Sequence, residues 1–126
     1  MKILVSDDEL IIRKLLQDIL TNDGHEVLLA KNGGEAVDQA RKNAFDLIIS
    51  DVHMPDITGL EVVTTIREFD QKVAIVMMDS FPDMLSQLAQ EKGAITCMHK
   101  PFALEELRSI IREVEEKMYG PEVRVI

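Results

Sequence analysis

Just past three of the apolar runs in this 126-residue sequence stand acidic residues: Asp7-Asp8-Glu9, Asp51, and Asp79 followed by Ser80. A basic counterpart, Lys100-Pro101, lies further on. Singly, each has an ordinary explanation; Asp8, for instance, suits the N-cap of a helix. Brought to one place, they do not. Two carboxylates about 4 Å apart repel by about 4 kcal/mol at an effective dielectric of 20. Asp7, Asp8 and Asp51 beside a single Lys100 therefore need shifted pKa values or another cation. Oxygen ligands select a hard divalent ion, and a sparse, partly hydrated carboxylate site suits Mg²⁺ better than Ca²⁺. Such an ion usually also meets phosphate, whose oxygens Lys100 can face as a point charge. Asp51 is then the candidate nucleophile, since it is single, central and followed by a turn-forming stretch from Val52 to Gly59. A carboxylate that attacks phosphorus gives an aspartyl phosphate. The metal and Lys100 would neutralise charge on the equatorial oxygens of the transferring group.

The elements that must position these residues follow from hydrophobic periodicity. Apolar runs at 3–5, 27–30, 47–49, 73–78 and 95–98 alternate with stretches of helical period. Leu10, Ile12, Leu15, Leu16, Ile19 and Leu20 fall on one face of the first helix. Asn32-Gly33-Gly34 opens a second helix with Ala36, Val37 and Ala40 inward, and Leu60, Val63 and Ile66 mark a third. A fourth spans Pro82 to Lys92, and a fifth runs from about Leu104 to Met118 before Gly120-Pro121. Strands that are apolar without alternation are buried on both faces, which calls for a parallel sheet with helices on either side. Right-handed crossovers leave few topologies. The flavodoxin-like (βα)5 sandwich, strand order 2-1-3-4-5, is the expected fold. It puts ligands beyond the carboxyl ends of the first and third strands, where the order reverses. Asp7, Asp8, Asp51, Asp79, Ser80 and Lys100 all follow strands on that rim.

Composition bounds the function. Twenty-three acidic against 14 basic residues give a net charge of −9, with 46% hydrophobic and 29% charged residues. The length and mixture suit one globular domain. An acidic chain is a poor nucleic-acid binder on its own. No apolar run approaches the roughly 20 residues of a membrane span, and the N-terminus meets acid too early for a signal peptide. Cys97 is alone, which excludes an internal disulfide and a cysteine metal site and suits a reducing, cytoplasmic setting.

In these residues the chain resembles the receiver domain of two-component response regulators, over nearly its whole length up to Met118. Asp7-Asp8 matches the acidic pair of the family and Asp51 its phosphoacceptor. Met54-Pro55 with Gly59 matches the following loop, Lys100-Pro101-Phe102 the lysine-proline turn with its usual cis peptide, and Ala30-Lys31-Asn32-Gly33 the start of the second helix. The resemblance implies a receiver domain over 1–119, with 120–126 as a tail or the start of a linker. It implies that Asp7 and Asp51 bind Mg²⁺ by side chain, Asp8 partly through water and His53 through its backbone carbonyl, and that Lys100 contacts the phosphoryl group. The His53 side chain would lean over the acceptor, with a solvated loop histidine as the alternative; His25 and His99 read as structural. Implied partners are a sensor histidine kinase or phosphotransfer protein and a downstream target or output domain, with no nucleic acid and no membrane. The only reactions implied are the chain's own phosphorylation and dephosphorylation.

Two positions depart from the family pattern. A Ser or Thr belongs at the end of the fourth strand, where this chain offers Met78 or Asp79 by counting; Ser80 is the nearest hydroxyl and the expected stand-in. An aromatic belongs three residues before the lysine, where Cys97 stands as a small buried residue. These departures keep open a receiver-like interaction module that phosphorylation no longer switches. A phosphatase of the haloacid-dehalogenase type would need two aspartates spaced two apart after the first strand, and a flavin protein would need a hydroxyl-rich phosphate loop there; Asp7-Asp8 is neither. The alternation in Glu122 to Ile126 reads as a frayed tail in preference to a docking strand.

Overall fold

Each apolar run becomes a strand and each amphipathic stretch a helix. In chain order they are β1 (Lys2–Ser6), α1 (Leu10–Asn22), β2 (Glu26–Ala30), α2 (Gly33–Lys42) and β3 (Leu47–Asp51). There follow α3 (Gly59–Phe69), β4 (Ala74–Asp79), α4 (Met84–Glu91), β5 (Thr96–His99) and α5 (Leu104–Tyr119). The computed structural model describes residues 1–80 and 84–120, with 84–86 by backbone alone. The expected helix start at Pro82 and the tail at 121–126 lie outside the described residues.

All strand pairs are parallel and the sheet order is β2-β1-β3-β4-β5. Successive side chains along a strand point to opposite faces, and two cores result. Leu4, Ile48, Ile75 and Met77 face α2, α3 and α4, packing with Ala36, Ala40, Val62, Val63, Ile66 and Ala89. Ile3, Val5, Leu47, Ile49, Val76 and Met78 face α1 and α5, packing with Leu16, Leu20, Leu107, Ile111 and Val114. Each fully buried Leu or Ile contributes about 1.5–3 kcal/mol. Chains of such residues on both faces fix the central strands β1, β3 and β4, and so fix the rim where they end.

Several boundaries and faces differ from the periodicity. Asp79 is the last residue of β4 rather than the first beyond it, because its carbonyl accepts the Lys100 N–H at 2.8 Å and the ladder to β5 continues that far. β4 starts at Ala74 and β5 at Thr96, each one residue later than the apolar run. On α1, Leu10 and Leu15 are exposed although they share the apolar spacing, and only Leu16 and Leu20 are fully buried. The buried stripe is narrower because α1 covers one edge of the sheet beside α5. Cys97 is half-buried against the α2–α3 core instead of enclosed.

Helix ends are set locally. Asn32 caps α2, its side chain accepting the Glu35 N–H at 2.8 Å, while Arg41 and Lys42 in the last turn complement the helix dipole. Thr58 caps α3 through the Glu61 N–H at 3.2 Å. At the start of α3, Gly59 donates its N–H to the Val52 carbonyl at 2.7 Å; a Cβ there would lie 2.5 Å from the Asp51 carbonyl oxygen. Only glycine lets the chain fold back this closely behind Asp51.

Candidate functional site

β1 and β3 are neighbours, so their carboxyl ends bring Asp7, Asp8 and Asp51 together. One oxygen from each can be chosen so that all lie within 4.8 Å of one another. Asp7 is fully buried and Asp51 nearly so, while Asp8 is exposed. Asp8 does not cap α1: the N-cap is Glu9, which makes no side-chain cap hydrogen bond. Asp7 takes the local role instead, its Oδ1 accepting the Glu9 N–H at 2.9 Å. Asp8 is thereby left to face the site.

Lys100 arrives from the opposite side of the rim, on the turn after β5, where the Lys100–Pro101 peptide is cis. Its Nζ donates to Asp7 Oδ2 at 2.6 Å and lies 3.5 Å from Asp51 Oδ2 and 3.7 Å from Glu9 Oε1. The ammonium is almost wholly buried. Burial alone would push its pKa down, but the Asp7 hydrogen bond and the charges of Asp51, Asp7 and Glu9 outweigh this and raise it. Lys100 is therefore a fixed positive charge across the physiological range.

The acids are also shifted upwards, which for a carboxyl favours the neutral form. Burial pushes Asp51 up to about 6; Asp7 and Asp8 add to the rise, while Lys100 and the His53 backbone N–H oppose it. Asp7 is also raised, chiefly by burial, against the Lys100 and Glu9 hydrogen bonds. Three carboxylates against one ammonium leave two negative charges, which a divalent cation complements in sign and number. An all-oxygen donor set of this kind fits Mg²⁺.

Asp8, Glu9, Asp51, His53, Asp79, Ser80 and Lys100 line one open pocket of about 290 Å³. Both residues expected near the missing hydroxyl are on it, with different standing. Asp79 is buried at the strand end, with His53 Nε2 3.7 Å from its Oδ1. Ser80 is exposed at the rim. His53 is exposed on the loop after β3. Neither of the other histidines lies on this pocket: His25 sits before β2, its Nδ1 3.0 Å from the N-terminal amine, and His99 ends β5 with its side chain exposed. Glu9 was passed over as a site residue, although its place directly after the acidic pair was a visible signal. Arg13 was missed too; its guanidinium donates to the Asp7 carbonyl at 2.7 Å, a backbone contact that sequence spacing does not reveal.

Strand order and an acid-lined crevice at the point where it reverses define a doubly wound α/β protein with its site on the carboxyl rim. Comparison with known proteins narrows this. A family model, the response regulator receiver domain, matches residues 3–112. Sporulation initiation phosphotransferase F of Bacillus subtilis is 30% identical over 113 residues, covering 89% of this chain and 91% of that protein. The uncharacterized transcriptional regulatory protein YkoG of the same organism is 35% identical over 113 residues; the match takes 87% of this chain but only 49% of that protein. Among solved structures, the chemotaxis protein CheY4 of Vibrio cholerae matches with a TM-score of 0.83 and 36% identity, covering 90% of this chain and 97% of that one. The response regulator TrrA of Thermotoga maritima, solved in complex with Mg²⁺ and BeF, matches with a TM-score of 0.79 and 33% identity over the same shares. This chain belongs to the response regulator receiver domain family of two-component systems.

Proposed function

We infer that the chain accepts a phosphoryl group on Asp51 from the phosphohistidine of a sensor kinase or phosphotransfer protein, and that this modification controls its protein contacts. The observation that carries this reading is the meeting of Asp7, Asp8 and Asp51 within 4.8 Å, with the Lys100 ammonium 3.5 Å from Asp51. In the transfer an Asp51 oxygen forms the new bond to phosphorus. The phosphorus–nitrogen bond of the donor breaks, and its electron pair stays on the imidazole nitrogen. Asp7, Asp8 and Asp51 would hold Mg²⁺, Asp8 partly through water, with the His53 carbonyl as a further ligand. When bound, Mg²⁺ supplies charge neutralisation for the transferring oxygens. Lys100, already hydrogen-bonded to Asp7, holds the remaining positive charge where a phosphoryl group on Asp51 would arrive. Beyond accepting and later hydrolysing this group, no catalytic turnover is assigned to the chain. Asp79 or Ser80 takes the place of the family hydroxyl.

A relay role is supported by the phosphotransferase relative, which the chain nearly spans; the transcriptional relative, of which it covers about half, supports a receiver joined to an output domain. The receiver unit is taken as 1–119, with 120–126 as tail or linker. No helix among the described residues is long and apolar enough to cross a membrane, and a cytoplasmic setting is part of the proposal, as is the absence of direct nucleic-acid or membrane binding. Intact-mass analysis after treatment with acetyl phosphate and Mg²⁺ tests it. Wild type should gain one phosphoryl mass and Asp51→Asn none; equal labelling of the two would refute the acceptor assignment.

A second reading is favoured by Asp79 and Cys97 at the hydroxyl and aromatic positions. There the chain binds partners as a receiver-like module and phosphorylation changes little. If Mg²⁺ and beryllofluoride bind while NMR shifts around α4 and β5 stay unchanged, this second reading holds.

A further inference from the structure

The loop between β3 and α3 touches Asp51 from outside the acid cluster. It begins at Asp51, and its His53 lines the same pocket as the Asp51 carboxylate, so the place of this loop bears directly on the acceptor. Its ends are tied through the backbone: the Val52 N–H donates to the Met78 carbonyl at 2.9 Å and the Gly59 N–H to the Val52 carbonyl at 2.7 Å. Its middle is tied to another element altogether. Asp56 Oδ1 accepts the Gly33 N–H at 3.0 Å and Oδ2 the Gly34 N–H at 2.7 Å. These are the first two residues of the ten-residue α2, whose opening N–H groups have no partner within the helix. Burial acts to raise the Asp56 pKa, but hydrogen bonds from Gly34, Ile57 and Gly33 outweigh it and hold the carboxyl below its usual range.

The seat is shaped for this contact. A Cβ on Gly34 would lie 3.1 Å from Asp56 Oδ2, and one on Gly33 would fall on the Ile57 side chain. The two glycines leave room for the loop. Asn32 caps the helix from within its own segment, accepting the Glu35 N–H, whereas Asp56 takes the Gly33 and Gly34 N–H groups from another element.

We propose that Asp56 is a positioning residue for the phosphoacceptor: it fastens the 53–58 loop to the start of α2 and so holds His53 in place on the pocket that Asp51 lines. This rests on the reading of Asp51 as acceptor and of its surroundings as a Mg²⁺ site. The test compares the full chain with Asp56→Ala, Asp56→Asn and Asn32→Ala. Two quantities are read by NMR: exchange of the His53 amide in metal-free protein, and the Kd for Mg²⁺. Asp56→Ala should speed His53 exchange and weaken Mg²⁺ about tenfold, as loss of an outer-shell partner does. Asp56→Asn keeps one acceptor and should fall between it and wild type. Asn32→Ala weakens the same helix end but should leave both quantities as in wild type. Unchanged His53 exchange and Mg²⁺ affinity in Asp56→Ala overturn the proposal, and so does an equal loss in Asn32→Ala. If the wild type binds no Mg²⁺, the metal-site reading fails, and the positioning role then stands or falls on the His53 exchange alone.

Discussion

Replacing Asp51 by asparagine should stabilise the metal-free protein at neutral pH while removing its phosphoacceptor. Burial, aided by Asp7 and Asp8, lifts the Asp51 carboxyl from 3.8 to about 6 in the folded chain. A carboxyl whose folded pKa lies above its unfolded one binds its proton more tightly when folded. Wild-type stability therefore rises as pH falls from about 6 towards 3.8, and the penalty for the charge is complete above about 6. That difference converts to about 3 kcal/mol. The side chain is only 9% exposed, so little is lost to solvent screening. Asparagine is nearly isosteric and carries no charge. In EDTA near neutral pH the variant should melt about 10 °C above wild type, at roughly 4 °C per kcal/mol. The gap should close as pH drops below 4, about the unfolded pKa, where the wild-type group is protonated in both states. Mg²⁺ at about one thousand times its Kd should then reverse the order, since it stabilises wild type by about 4.1 kcal/mol and the variant has lost one of three carboxylates. A variant no more stable than wild type in EDTA, or a gap that does not change with pH, would refute the account of Asp51 as a charge held at a cost.

Lys100→Ala leaves Asp7 buried without its 2.6 Å partner, and urea titration should show a loss of about 3 kcal/mol at neutral pH, together with slower labelling by acetyl phosphate. Gly59→Ala forces a methyl to 2.5 Å from both the Asp51 carbonyl oxygen and Met77 Cε; destabilisation of about 2 kcal/mol by urea titration is expected. Asp79→Thr removes a negative charge from the pocket wall and supplies a hydroxyl at the end of β4. Beryllofluoride, followed by NMR in excess Mg²⁺, should bind several-fold tighter to this variant than to wild type.

What the sequence made legible is what period and residue type determine locally. Continuous apolar runs at 47–49 and 73–78 required a buried sheet, and with the right-handed crossover rule they led to the observed strand order. The same runs carried Asp7, Asp51 and Lys100 to one rim. Residue-level preferences misled where a tertiary contact outweighed them. The apolar run ends at Met78, so Asp79 reads as lying beyond β4, but its carbonyl holds the Lys100 N–H and keeps it in the ladder. Aspartate is favoured at N-caps, so Asp8 was a candidate cap, but Asp7 accepts the Glu9 N–H and Asp8 turns to the site. Leu10 and Leu15 share the spacing of buried positions, but nothing in that spacing reports how much of α1 the sheet and α5 cover.

The Asp56 contact shows why such features escape a reading along the chain. Gly33-Gly34 reads as helix-opening punctuation, and Asp56 as one more polar residue in a turn. Their meaning depends on one another across 22 residues of sequence. Hydrophobic periodicity fixes which element a residue belongs to, whereas the partner of a carboxylate is fixed by the packing of α2 against the loop after β3. The acid cluster was legible because its members repeat at equivalent strand ends, where topology alone brings them together. A loop anchor follows no such repeat, and only the folded chain joins its two halves.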